Sequence, residues 1–113
     1  PRYLPEQSEP QQAVFAFAYT ITIRNTGRVA AQLIARTWNI NDANGHHEKV
    51  KGLGVVGKQP LLQPGESFQY TSGSSLTTAI GTMKGTYQMV AEDGTHFEAV
   101  IPEFVLASPR ALH

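Results

Sequence analysis

The chain has 113 residues, of which 41 % are apolar and 16 % charged, and nine Lys and Arg balance nine Asp and Glu. This is the length of one domain with a packed core, and a formal net charge of zero argues against nucleic acid or a membrane surface as the partner. The absence of cysteine excludes disulfides, thiolate metal sites and cysteine nucleophiles, and it suits a reducing compartment such as the cytoplasm. No apolar run approaches the roughly 18 residues of a membrane span.

The first predicted element is a long strand over residues 13–23. Its apolar residues recur with a period of two, which is typical of a strand with one buried face: Phe15, Phe17, Tyr19, Ile21 and Ile23. Residues 1–12 hold three prolines and three glutamines, and we interpret them as a flexible lead-in or the remnant of a first strand. The domain itself is predicted over residues 13–113.

A second strand is predicted over residues 29–40, with apolar side chains on both faces. One face carries Ile34, Trp38 and Ile40, and the other carries Val29, Ala31, Leu33 and Ala35. A strand that is apolar on both sides is expected in the centre of a sheet. The turn signal at residues 42–45 then leads into a short polar strand, residues 46–51, at an edge.

The second half of the chain alternates loops with strands. Glycine and proline predict a loop over residues 52–65, and small polar residues predict another over residues 72–81. Phe68 and Tyr70 indicate a strand between them, and residues 83–91 and 97–101 form a hairpin. Pro102 marks an edge or a bulge, because proline donates no ladder hydrogen bond.

The pattern contains no credible helix. Short strands at regular intervals predict an all-β fold, a sandwich of two antiparallel sheets. We expect four side chains in its core: Phe17, Tyr19, Ile21 and Trp38.

The most conspicuous motif is G-x-G-x-x-G, formed by Gly52, Gly54 and Gly57. A dinucleotide site requires a helix after these glycines, whereas prolines follow here, so the motif alone favours a connection between strands. A second hypothesis is an anion-binding nest of backbone N–H groups, with Lys51 and Lys58 adding charge.

No catalytic residue or metal site is predicted. His46, His47 and Glu48 follow one another, but successive strand residues point to opposite faces, so a tight site lacks its third ligand. The serine-rich stretch around Ser74 lacks a nucleophile elbow. We therefore expect no enzyme and no bound cofactor.

Read in order, the segments resemble the ApaG family. The resemblance is carried by residues 15–25, 32–36 with Trp38, 52–57, 59–66 with Phe68, 70–73, 81–83 with Gly85 and Tyr87, and 101–102 with Phe104. It covers most of the chain from about residue 13 onward. The family usually begins with another strand, of which residues 1–12 offer at most the end.

The resemblance implies a fibronectin-III-like or immunoglobulin-like sandwich in a bacterial cytoplasmic protein. It also implies a genetic link to cobalt and magnesium efflux, and related domains in eukaryotes resemble protein-interaction modules. The family has no catalytic residue to carry over. Its Gly-rich loop, matched here by Gly52, Gly54 and Gly57, has been discussed as a nucleotide or pyrophosphate site.

Three functions follow as hypotheses. The first is a non-catalytic interaction module with a protein partner of unknown identity, including a homodimer through a sheet edge. The second is phosphate or nucleotide binding at the Gly-rich loop, and the third is direct binding of divalent cations.

Overall fold

The structure, a computed structural model, describes residues 1–109. Its strands are β1 (Arg2–Tyr3), β2 (Phe15–Arg24), β3 (Ala31–Asp42), β4 (His47–Leu53), β5 (Leu61–Leu62), β6 (Ser67–Leu76), β7 (Ile80–Ala91) and β8 (His96–Ala107). Two 3-10 turns, Pro5–Gln7 and Pro10–Gln12, precede β2, and no helix within residues 1–109 has the length and hydropathy to cross a bilayer. Residues 110–113 of the predicted domain lie outside the described residues.

The strands form two antiparallel sheets. One has the order β1-β2-β6, and the other has the order β4-β3-β7-β8 with β5 paired to the start of β3. The prediction of an all-β sandwich is confirmed, as are the central position of β3 and the edge position of β4. Pro102 lies on β8, an edge strand, at the point where its pairing with β7 shifts register. Both predicted settings of this proline, an edge and a bulge, therefore occur.

The first residues are tied to the sandwich by short contacts. Arg2 and Tyr3 pair with Ala18 and Phe17 of β2. Leu4 is buried, and its N–H donates to the Ala16 carbonyl over 2.8 Å.

An aromatic group fills the space between the sheets. The ring of Trp38 packs edge-on against Tyr19 at 5.4 Å and against Phe104 at 5.9 Å between ring centroids. Phe17, Tyr19 and Trp38 are buried as predicted, whereas Ile21 is only partly buried at the margin of the core.

The predicted faces of β3 are wrong, because the strand contains a bulge. Leu33 faces Met89 and Ala35 faces Gln88, so Ile34 is one extra residue against β7. Beyond an extra residue the alternation of faces reverses. Leu33 and Trp38, predicted on opposite faces, therefore both point into the core.

Both predicted loops are shorter than expected. β4 continues through Gly52 and Leu53, and Leu61–Leu62 forms β5. β6 extends to Leu76, because each residue of 67–76 finds a partner in β2. Serine and glycine are weak strand formers, so this pairing, rather than intrinsic propensity, holds the segment extended.

Gly85 is required where β7 passes Trp38. A Cβ at this position would collide with the Thr37 carbonyl oxygen and lie 3.2 Å from the indole. We expect Gly85→Ala to lower the free energy of unfolding by about 1–3 kcal/mol through overpacking. Gly73→Ala is the matched control, since its Cβ would meet only the Phe17 carbonyl oxygen at 3.4 Å, and it should change stability by less than about 0.5 kcal/mol in urea titration. Equal losses of stability in the two variants would contradict the conclusion that β7 requires glycine at position 85.

Candidate functional site: the glycine loop and the sheet edges

The Gly-rich segment folds as a tight hairpin after β4. Val55 donates its N–H to the Lys58 carbonyl over 2.8 Å, and Lys58 donates back to the Val55 carbonyl over 2.9 Å. The two residues between them, Val56 and Gly57, both have positive φ, at 45° and 77°. This is the pattern of a type I′ turn. Val55 itself is buried in the core, so the hairpin is anchored to the sandwich.

Two of the three glycines make room for neighbouring groups. Gly52 lies on β4 opposite Arg36, and a Cβ there would lie 2.9 Å from the guanidinium. Gly54 has φ of 63°, and a Cβ there would collide with the Lys58 carbonyl oxygen. Packing against backbone explains glycine at position 54, whereas at position 52 the neighbour is the end of the flexible Arg36 side chain.

Arg36 holds the hairpin from inside the sandwich. Because of the bulge it lies opposite Tyr87 on the inner face of the sheet. Its Nη1 donates to the carbonyl oxygens of Leu53 at 3.1 Å and Gly54 at 2.7 Å. No role for Arg36 was predicted from the sequence, although a lone cation in an apolar strand is an unusual signal.

A pair of buried tyrosines lies beneath this arginine. The hydroxyls of Tyr70 and Tyr87 share a hydrogen bond of 2.5 Å between the two sheets. Burial raises the pKa of Tyr70 and of Tyr87 above the ordinary value of a phenol, because it disfavours the phenolate. Both hydroxyls are therefore neutral at physiological pH, and the two rings pack in the hydrophobic core.

The hairpin uses most of the amides that an anion nest would need. The Gly54 N–H donates to the carbonyl of the bulged Ile34 over 2.8 Å, and the N–H groups of Val55 and Lys58 are engaged within the turn. Lys51 lies on β4 opposite Thr37, and Lys58 closes the turn. The short strand β5 follows, where a dinucleotide site would have a helix.

The polar residues after the β3–β4 turn are arranged around Asp42. Its Oδ1 accepts the N–H groups of Asn44 and His46 at 2.9 Å each, and its Oδ2 accepts the Thr77 hydroxyl at 3.0 Å. Slight desolvation raises the pKa of Asp42, but the hydrogen bonds from His46, Thr77 and Asn44 outweigh it and lower the pKa. These contacts fix the turn and the start of the following strand.

The histidines are separated from one another. The Nε2 of His47 lies 3.1 Å from the Asn39 Oδ1 on the outer face, whereas His46 and Glu48 line a small cleft between the sheets with Asp42. His96 begins β8, at the far edge of the sheet. Within residues 1–109 no group of three His, Cys, Asp or Glu is placed to hold a metal ion.

Three long strands, β4, β6 and β8, lie at the ends of the sheets within residues 1–109, and they differ in chemistry. The other end is β1, whose two residues pair only with Ala18 and Phe17 of β2. β4 carries two lysines, a histidine and a glutamate, and β8 carries two glutamates, Pro102 and a bulge. Charges, proline and bulges are the features that keep an edge from pairing with another chain. β6 has none of them: its ten residues are uncharged, and its register with β2 is unbroken.

Comparison with known proteins identifies the family of this chain. The family model described as the ApaG domain matches residues 5–91, more than half of the chain. The chain belongs to the ApaG family. The ApaG resemblance of the sequence is thereby confirmed.

Relatives of the ApaG family match over nearly the whole chain. A protein ApaG of Dechloromonas aromatica is 76 % identical over 100 % of this chain and 89 % of its own length, and one of Ralstonia nicotianae is 66 % identical over 99 % and 90 %. A crystal structure of an ApaA protein from Bordetella pertussis is 58 % identical, covers 96 % of this chain and 89 % of its own, and superimposes with a TM-score of 0.92.

A pair of glycine variants separates backbone strain from collision in the hairpin. Gly57→Ala places alanine at positive φ in open space, and we expect it to lower the free energy of unfolding by about 1 kcal/mol. Gly54→Ala adds a collision with the Lys58 carbonyl to the backbone strain. The two effects together should lower the free energy of unfolding by about 2–4 kcal/mol. Chemical denaturation of both variants measures the difference. A Gly54→Ala protein as stable as Gly57→Ala would show that the hairpin adapts.

Proposed function

We propose that this ApaG-family chain is a non-catalytic, cytoplasmic protein-interaction domain that accepts an extended segment of a partner along β6. The observation that supports the proposal is the contrast between β6 and the other two long edges. A strand edge presents a row of N–H and C=O groups that an added strand satisfies, and among β4, β6 and β8, the long strands at the ends of the sheets in residues 1–109, only β6 presents them without a protecting feature.

The surface of β6 favours a partner segment of modest side chains. On the inner side, Ser72 and Ser74 are partly buried, and on the outer side Thr71 and Ser75 are exposed. Gly73, at the centre, has no side chain to hold a partner away from the backbone. Main-chain hydrogen bonds would supply affinity, and an uncharged segment with β-branched or small residues fits both sides.

The same edge is available to a second copy of the chain. Antiparallel pairing of β6 with itself would form a twofold dimer with one continuous sheet. In this proposal the family link to cobalt and magnesium efflux is indirect and is exerted through the protein partner.

Two proline variants at neighbouring positions of β6 test the edge. Successive residues of an antiparallel strand direct their N–H groups to opposite sides, so one of Ser74→Pro and Ser75→Pro loses a ladder bond to β2 and the other loses an outward N–H. The variant that keeps the wild-type melting temperature is the edge variant. Alanine at the same position is its matched control.

We expect the folded edge variant to lose a partner that wild type and the alanine control both capture from cells, as measured by affinity purification and mass spectrometry. Light scattering shows whether that partner is a second copy. Equal capture by the folded edge variant would overturn the proposal. Micromolar binding of ATP or pyrophosphate in calorimetry, abolished by Lys51→Ala with Lys58→Ala, would favour the phosphate-binding hypothesis instead.

A further inference from the structure

The outer face of the five-stranded sheet forms a second surface, separate from β6. It is a shallow basin of about 1060 Å³ that extends from β4 across β3 and β7 to the start of β8. We call it the outer basin. Its centre is polar, with Thr37 and Asn39 of β3 beside Thr86 and Gln88 of β7.

Strand register gathers three lysines around this polar centre. Lys49 on β4 and Lys84 on β7 both pair with Asn39, so their Cβ atoms lie about 10 Å apart, two strand spacings. Lys51 follows on the same face of β4, about 7 Å from Lys49. All three side chains are exposed. The chain has nine Lys and Arg residues and a formal net charge of zero, and three of the nine lie together on the outer face of this sheet.

Acidic side chains lie on the other side of the basin. Glu98 of β8 pairs with Gln88 and accepts a hydrogen bond from its amide at 3.2 Å, and Glu103 lies in the bulge of β8 opposite Lys84. The β4 side is therefore positive and the β8 side negative. This separation of charge would attract a negatively charged segment of a partner to the β4 side and repel it from the β8 side.

Exposed aliphatic side chains lie at both ends of this face, one on β4 beside Lys51 and one on β8, three strands away. Leu53, two residues beyond Lys51, and Val100, in the same cross-strand row as Lys51, are each 75 % exposed. Single-stranded nucleic acid is held by aromatic rings on which bases stack, whereas the phenylalanine at this basin, Phe97, pairs with buried Met89 and so belongs to the inner-face row of β8. Polyphosphate has no apolar part. Aliphatic groups beside cations match a protein segment that carries both carboxylates and aliphatic side chains.

We propose that the outer basin, together with Lys84 and Val100 beside it on the same face, binds an acidic segment of a partner protein, with carboxylates at Lys49, Lys51 and Lys84 and aliphatic side chains at Leu53 and Val100. This inference does not depend on strand addition at β6, because the two surfaces belong to different sheets. Its carboxylate contacts are exposed ion pairs, so affinity should fall as sodium chloride is raised.

The probe is a fluorescent peptide of about ten residues containing glutamate and leucine, titrated by fluorescence anisotropy. We expect Lys49→Glu with Lys51→Glu to weaken binding at least about tenfold. Arg28→Glu with Lys58→Glu is the matched control, because it makes the same charge change at exposed residues outside the basin, and it should change affinity less than about twofold. Leu53→Ser with Val100→Ser should also weaken binding.

Three results would overturn the proposal: equal loss in the two charge-reversal pairs, tighter binding of polyphosphate or a thymidine oligonucleotide than of the peptide, or no peptide binding at about 1 mM. Melting temperatures of all variants report whether the fold is kept. The folded β6 edge variant should bind the peptide as wild type does, so that failure at one surface is distinguished from failure at the other.

Discussion

One extra residue in β3 determines which side chains enter the core and which form the surface. Ile34 has no counterpart on β7, and beyond it every face of the strand is exchanged. Trp38 therefore joins Leu33 inside, and Arg36 turns inward to reach the glycine hairpin. The bulged carbonyl of Ile34 also accepts the Gly54 N–H, so the bulge and the hairpin stabilise each other.

Alternation in the sequence predicts most of the fold but not this bulge. In β2 the period of two continues without interruption, and Phe17 and Tyr19 are buried as expected. In β3 the same rule assigns Leu33 and Trp38 to opposite faces, because a bulge exchanges the faces without changing the apolar composition. The full length of β6 was also missed, since serine and glycine reveal their strand only through the pairing partner β2.

The glycine motif was visible in the sequence, whereas its reasons are three-dimensional. Gly52 makes room for a side chain sixteen positions earlier, and Gly54 makes room for a carbonyl four positions later. Neither neighbour is apparent from spacing. The grouping of lysines on the outer face was hidden for the same reason: Lys49 and Lys84 are distant in the chain and come onto one row of the sheet only because both pair with Asn39.

The uncharged edge of β6 also has a consequence for the behaviour of the protein in concentrated solution. The formal net charge is zero and the isoelectric point is about 7.5, so near neutral pH no long-range repulsion separates the molecules. An unprotected strand edge then meets its copies without an electrostatic barrier. Colloidal stability is accordingly lowest near physiological pH, and any strand that occupied β6 would also reduce self-association.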